Sequence, residues 1–83
     1  MQEQIEQHLN AAFPKAQIRV EGAGGKYLLT LIDASFEGKN AVKRQQSVYA
    51  GLGDLISSGA VHAVTIVART PAEAEAQNGL SNG

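Results

Sequence analysis

The segment Gly22-Ala23-Gly24-Gly25 separates two stretches that read as β-strands, which predicts an antiparallel hairpin early in the chain. In Gln17 to Glu21, Ile18 and Val20 fall on one face and Gln17, Arg19 and Glu21 on the other, the period-two pattern of a half-buried strand. Lys26 to Ala34 contains Tyr27-Leu28-Leu29-Thr30-Leu31-Ile32, is richer in apolar residues, and is expected to be the more central strand. The register of the pair is not legible. A hairpin cannot bury its own apolar face, so the rest of the chain must supply helices to cover it.

The flanking segments have the matching period. From Gln2 to about Phe13, Ile5, Leu9, Ala12 and Phe13 recur three and four residues apart, and Pro14 ends that helix. Ser35-Phe36-Glu37-Gly38-Lys39 is a loop in which Phe36 is expected to tuck inward as an anchor. A helix from about Asn40 to Tyr49 sets Val42, Val48 and Tyr49 against a polar face of Lys43, Arg44, Gln45 and Ser47. Gly51 and Gly53 mark a break before a short helix carrying Leu52, Leu55 and Ile56, which ends at Gly59. Val61 to Arg69 is the third strand, and its small apolar residues on both faces predict an internal position in the sheet. Thr70-Pro71-Ala72-Glu73 is a capping box with proline at the first helical position, and it opens a last helix. A frayed tail is expected over residues 79–83.

The predicted order is therefore α-β-β-α-α-β-α, an α/β (α+β) single domain spanning residues 1–83, with a three-stranded sheet and its helices on one face. At 83 residues there is room for one core, and about 60% of the unfolded surface can be buried. The formal net charge is -1, which denies the chain the overall positive potential that usually drives nucleic-acid binding. Cysteine is absent, so the chain supplies neither disulfide nor thiolate nor a CxxC metal site. The polar start Met1-Gln2-Glu3-Gln4 is unlike a signal or transit peptide, and the apolar runs are far short of the roughly 20 residues of a membrane span. A cytoplasmic location is expected.

Catalysis has little footing. Ser47, Ser57 and Ser58 have no histidine and acid at an interpretable spacing, and no Walker-type loop is present. Gly22-Ala23-Gly24-Gly25 satisfies the GxxG string of K-homology domains, but that loop must lie between two helices to clamp a single strand. Here it lies between strands and reads as a turn. The inter-helix junction Tyr49-Ala50-Gly51-Leu52-Gly53-Asp54 has no GxxG, and Asp54 would repel phosphate. Tyr27 and Tyr49 read as core or core-edge aromatics.

Two motifs carry a resemblance over almost the whole chain. Val42-Lys43-Arg44-Gln45-Gln46-Ser47-Val48-Tyr49, followed by Val61-His62-Ala63-Val64-Thr65-Ile66, resembles the BolA family. The further step to Thr70-Pro71-Ala72-Glu73 is most similar to its bacterial IbaG (YrbA) branch. The resemblance implies a fold like the class II K-homology domain and a non-enzymatic adaptor. It also implies a monothiol glutaredoxin partner, a [2Fe–2S] cluster shared with that partner and glutathione, and roles in iron homeostasis, stress response and transcription regulation.

His62 matches the family's histidine before the third strand, a cluster ligand in the glutaredoxin complex. One imidazole cannot hold a cluster alone, so thiolates must come from the partner and glutathione, and the isolated protein is expected to hold no cofactor. The plain alternative is a strand-edge histidine satisfied by main-chain hydrogen bonds. Many relatives carry a second ligand in the first hairpin loop, where this chain has Gly24, Gly25 and Lys26; an ammonium is no iron ligand. His8 reads as a surface residue. Lys39, Lys43, Arg44 and Arg69 form a second candidate, as contacts to glutaredoxin or glutathione carboxylates or, in the competing regulator reading, to nucleic-acid phosphates. An ordinary solvated helix face is their plain alternative. A homodimer is compatible with either function.

Overall fold

The computed structural model describes the backbone of residues 1–82; Gly83 and the side chains of Ala23 and of residues 77–82 lie outside the described set, and the tail expected over 79–83 falls there. The order is α1 (Gln2–Ala12), β1 (Gln17–Ala23), β2 (Lys26–Ile32), a single 3-10 turn (Ala34–Phe36), α2 (Ala41–Leu52), α3 (Asp54–Ser57), β3 (Ala63–Arg69) and α4 (Pro71–Asn82). The predicted α-β-β-α-α-β-α order and the α+β class are what is observed.

The sheet order is β1-β2-β3, with β1 antiparallel and β3 parallel to β2. Ala23 pairs with Lys26, so Gly24 and Gly25 form a two-residue turn, and both have positive φ (64° and 80°). Two consecutive left-handed residues give the turn whose twist matches that of the strands, and glycine adopts that conformation without strain. Val20, Leu29 and Leu31 are buried on the inner face, joined by partly buried Ile18, Tyr27, Val64, Ile66 and Ala68. Ile5 and Leu9 of α1, Val48 and Leu52 of α2, and Phe36 complete the core from the helical side. The other face, with Arg19, Glu21, Leu28 and Thr65, is exposed.

Three sequence expectations need correction. β3 is not internal but at an edge. Only one face of it is packed: Val64, Ile66 and Ala68 lie against the core, whereas Ala63 and Thr65 on the other face are exposed, so the small apolar residues there mark no second covered face. Secondly, α2 does not stop at Tyr49. It runs to Leu52, capped by Asn40, whose Oδ1 accepts from Lys43 N–H at 2.9 Å. Gly51 is a close-packing residue rather than a breaker: a β-carbon there would meet Ala12 Cβ at 3.0 Å and Phe13 Cε2 at 3.3 Å. The break is made by Gly53 alone, at φ 53°. Thirdly, Val42 is 63% and Tyr49 41% exposed, so neither is core. The inward stripe of α2 is Arg44, Ser47, Val48, Gly51 and Leu52, and its polar members hid it from a reading based on hydrophobicity.

Phe36 is fully buried, as expected of an anchor, with its ring 5.6 Å from that of Phe13. Phe36→Ala leaves a cavity where the 3-10 turn meets α1, and we expect a loss of about 3–5 kcal/mol in the free energy of unfolding. Chemical denaturation followed by far-UV circular dichroism measures it.

Candidate functional site

Two clusters of side chains stand out, at opposite ends of β3. At its start, the exposed His62 is fastened to the hairpin. Its main-chain N–H donates to the Gly25 carbonyl at 2.9 Å, and the next N–H, of Ala63, donates to the same oxygen at 3.0 Å. The imidazole lies against Gly25: a β-carbon there would sit 3.2 Å from His62 Cγ and overlap Cδ2. Glycine at position 25 is thus required twice, by its φ and by the ring packed on it. Lys26 stands in register with Ala63 and is exposed. The turn Gly24-Gly25-Lys26 and His62, 36 positions apart between Lys26 and His62 in the sequence, become neighbours because β3 starts beside the end of the hairpin.

The donor chemistry at this end is one imidazole and one ammonium. No group of three or more His, Cys, Asp or Glu residues able to hold a metal ion is present among the described residues. Of the two, the imidazole is the group with metal-ligand chemistry at neutral pH. His8 is elsewhere, on the exposed side of α1, with Nδ1 2.9 Å from the Gln4 carbonyl.

At the far end, Arg44 is engaged within the molecule. Nε donates to the Lys39 carbonyl at 2.8 Å, and Nη1 to the Ala68 carbonyl at 3.0 Å. Nη1 and Nη2 grip Glu73 Oε1 and Oε2 at 2.6 and 3.1 Å. Such a two-pronged carboxylate contact is the strong form of ion pair. The capping box is present as expected: Thr70 Oγ1 accepts from Glu73 N–H at 3.2 Å, and Glu73 Oε1 accepts from Thr70 N–H at 2.9 Å. What the sequence did not reveal is that Arg44 shares this carboxylate, joining α2, β3 and α4. The hydrogen bond from Arg44, then that from the Thr70 main chain, holds the Glu73 carboxyl at about 2, well below its ordinary 4.5, and Glu73 raises the Arg44 guanidinium in turn.

The four basic residues therefore do not form one evenly exposed patch. Lys43 is exposed, Lys39 and Arg69 are half-buried, and only 15% of the Arg44 side chain is accessible. Its interaction with Glu73 has no signal in helical or strand periodicity, and only the packing of α4 discloses it.

The chain belongs to the BolA-like protein family, whose pattern matches residues 3–73. Like the BolA-like domains it resembles, it is a non-catalytic module. It is 54% identical over 71 residues to the "Uncharacterized protein in rpoN-murA intergenic region" of Acinetobacter guillouiae, covering 86% of each chain. It is 36% identical over 70 residues to the acid stress protein IbaG of Escherichia coli K12, covering 84% of this chain and 83% of that one. Among solved structures, the BolA domain of SufE1 from Arabidopsis thaliana superposes with a TM-score of 0.77 at 31% identity, covering 87% of this chain and 93% of that domain. Among the described residues no helix is long and apolar enough to cross a membrane.

Two outcomes are expected from this geometry. Because the folded-state pKa of Glu73 is depressed, its contribution to stability is complete above about pH 4.5 and is lost as the pH falls toward about 2. Urea midpoints should place Glu73→Gln below the parent at neutral pH, with the gap closing across that window; a gap independent of pH would contradict the assignment. Gly25→Ala should displace the His62 ring and strain the turn, seen as shifted His62 imidazole resonances in NMR spectra and a loss of roughly 1–3 kcal/mol in stability.

Proposed function

We propose that this chain is an IbaG-type cytoplasmic adaptor that docks on a monothiol glutaredoxin and offers His62 to a [2Fe–2S] cluster bridging the two proteins. The observation that carries this reading is the presentation of His62. Its main chain is pinned to Gly25, its ring rests on the turn, and it is exposed at the end of the sheet. A ligand held in this way loses little freedom when a partner brings the cluster to it. With no cysteine in the chain, the thiolates are those of the glutaredoxin and of glutathione. The cluster is cargo, and it supplies the redox and transfer chemistry; the role of this chain is to furnish one imidazole and a docking surface.

The likeness to the BolA domain of SufE1 supports a place in iron–sulfur assembly, and the likeness to the acid stress protein IbaG supports a role in stress response. Lys26, where relatives carry a second ligand, leaves His62 as the single ligand from this side and marks a more weakly held, transferable cluster. The exposed Lys26, beside His62, is suited to meet glutathione or partner carboxylates. Exposed Lys43 and half-buried Lys39 and Arg69 lie toward the opposite end of β3 and would meet acidic groups elsewhere on the partner. The competing reading, a transcription regulator bound to nucleic acid through the α2 helix, loses its best phosphate ligand, because Arg44 is spent on Glu73 and two carbonyls.

Reconstitution with a monothiol glutaredoxin, iron, sulfide and glutathione tests partner, cofactor and ligand together. A coloured heterocomplex is expected, with a visible circular dichroism spectrum that changes in His62→Ala while that variant stays folded. An identical spectrum in the variant would refute the ligand role. Failure of any heterocomplex to form, with retention of duplex DNA at low salt that is lost on Lys43→Ala, would favour the regulator reading.

A further inference from the structure

The sheet has two edges, and the fold treats them differently. At β1, Gln2 Nε2 donates to the Val20 carbonyl at 2.9 Å, and α1 packs against the strand. At β3 one carbonyl is closed, that of Ala68, by Arg44. The direction of the remaining groups follows from the bonds already described. Ala63 N–H donates to Gly25 and the Arg69 carbonyl accepts from Asp33 N–H at 3.0 Å, so the odd-numbered residues of β3 turn their main chain toward β2. Along a strand this direction alternates, so Val64, Ile66 and Ala68 turn theirs outward, as the Arg44–Ala68 bond confirms. Among the described residues the outward N–H and C=O groups of Val64 and Ile66 have no partner.

Proteins ordinarily guard such an edge with lysine, proline, a bulge or a covering element. Ala63 to Ala68 contains no charge and no proline, and its register with β2 is unbroken. We propose that this edge pairs with β3 of a second copy, antiparallel, about a two-fold axis through Thr65, joining two sheets into one of six strands. The stretch is self-complementary in that register. Val64 of each copy exchanges both main-chain hydrogen bonds with Ile66 of the other, so the open groups of these two residues are satisfied, and Arg44 stops the ladder at the Ala68 carbonyl. Thr65 opposes Thr65, Ala63 opposes Val67 and His62 opposes Ala68, so no like charges meet. A groove of about 260 Å³ separates Ala41, Arg44 and Gln45 of α2 from residues 66–69, all to one side of Thr65. The two-fold carries the N-terminal turns of the second α2 to the opposite end, so these turns are staggered rather than opposed. This pairing stands independently of the cluster reading, because its test uses the protein alone.

Thr65 is exposed on the helix-free face, so its side chain can be changed without touching the core. Sedimentation velocity of the full chain over a wide concentration series should show a reversible monomer–dimer equilibrium. Thr65→Lys and Thr65→Glu should each weaken it about fivefold or more, and an equimolar mixture of the two should restore it. The chain has no cysteine, so a single one reports cleanly. Thr65→Cys places two Cα atoms about 4.5 Å apart at a non-hydrogen-bonded pair, which suits a disulfide. It should cross-link on mild oxidation, whereas Ala63→Cys, on the same face but off the axis, should not. A monomer at every concentration, its edge left for an extended segment of some other protein, overturns the proposal. So does a dimer that is unchanged in the two charged variants, or one that cross-links equally at positions 63 and 65.

Discussion

The parallel pairing of β3 with β2 is the constraint on which the rest of this structure depends. An antiparallel hairpin can be closed locally, but a parallel third strand must return to the same end of the sheet where β2 began. The crossover that returns it is α2 and α3, and α2 covers the inner face of the sheet together with α1. The same pairing sets Ala63 beside Lys26 and so lays His62 on the Gly24-Gly25 turn. Core and candidate site are two consequences of one strand arrangement.

The opposite end of β3 is organised by Arg44. A cation in an amphipathic helix invites a reading as a contact for something outside the protein. Here three main-chain or side-chain acceptors from the loop before α2, from β3 and from α4 converge on one guanidinium. Glu73 is bound twice over, by its own capping box and by Arg44, so the last helix is held to the domain by a charge-assisted contact. The electrostatics of the molecule are accordingly divided. One end of β3 presents His62 and the exposed Lys26, and at the other Arg44 is paired with Glu73.

Much of the architecture could be read from local pattern. The hairpin and its glycine turn, the Phe36 anchor, and the Thr70–Glu73 capping box depend on residues within a few positions of one another, where periodicity and turn chemistry act directly. The errors arose where a local pattern has two tertiary explanations. Apolar residues on both faces describe a central strand and equally a parallel edge strand, and β3 is the second. Gly51 reads as a breaker from propensity, yet it remains helical because Ala12 and Phe13 need its missing side chain. The inner stripe of α2 contains Arg44 and Ser47, so hydrophobicity pointed at Val42 and Tyr49 instead.

By itself the sequence determined the succession of elements, the left-handed turn, the caps and the lack of thiolates, since each of these rests on residue chemistry or short-range geometry. It also singled out His62, through motifs that accompany that histidine in its family. Only the tertiary structure decided that His62 rests on Gly25, that Arg44 belongs to Glu73, and that β3 ends the sheet. Each of those is a contact between residues far apart in the chain, and which distant partners meet is settled by the joint packing of the core rather than by any local preference.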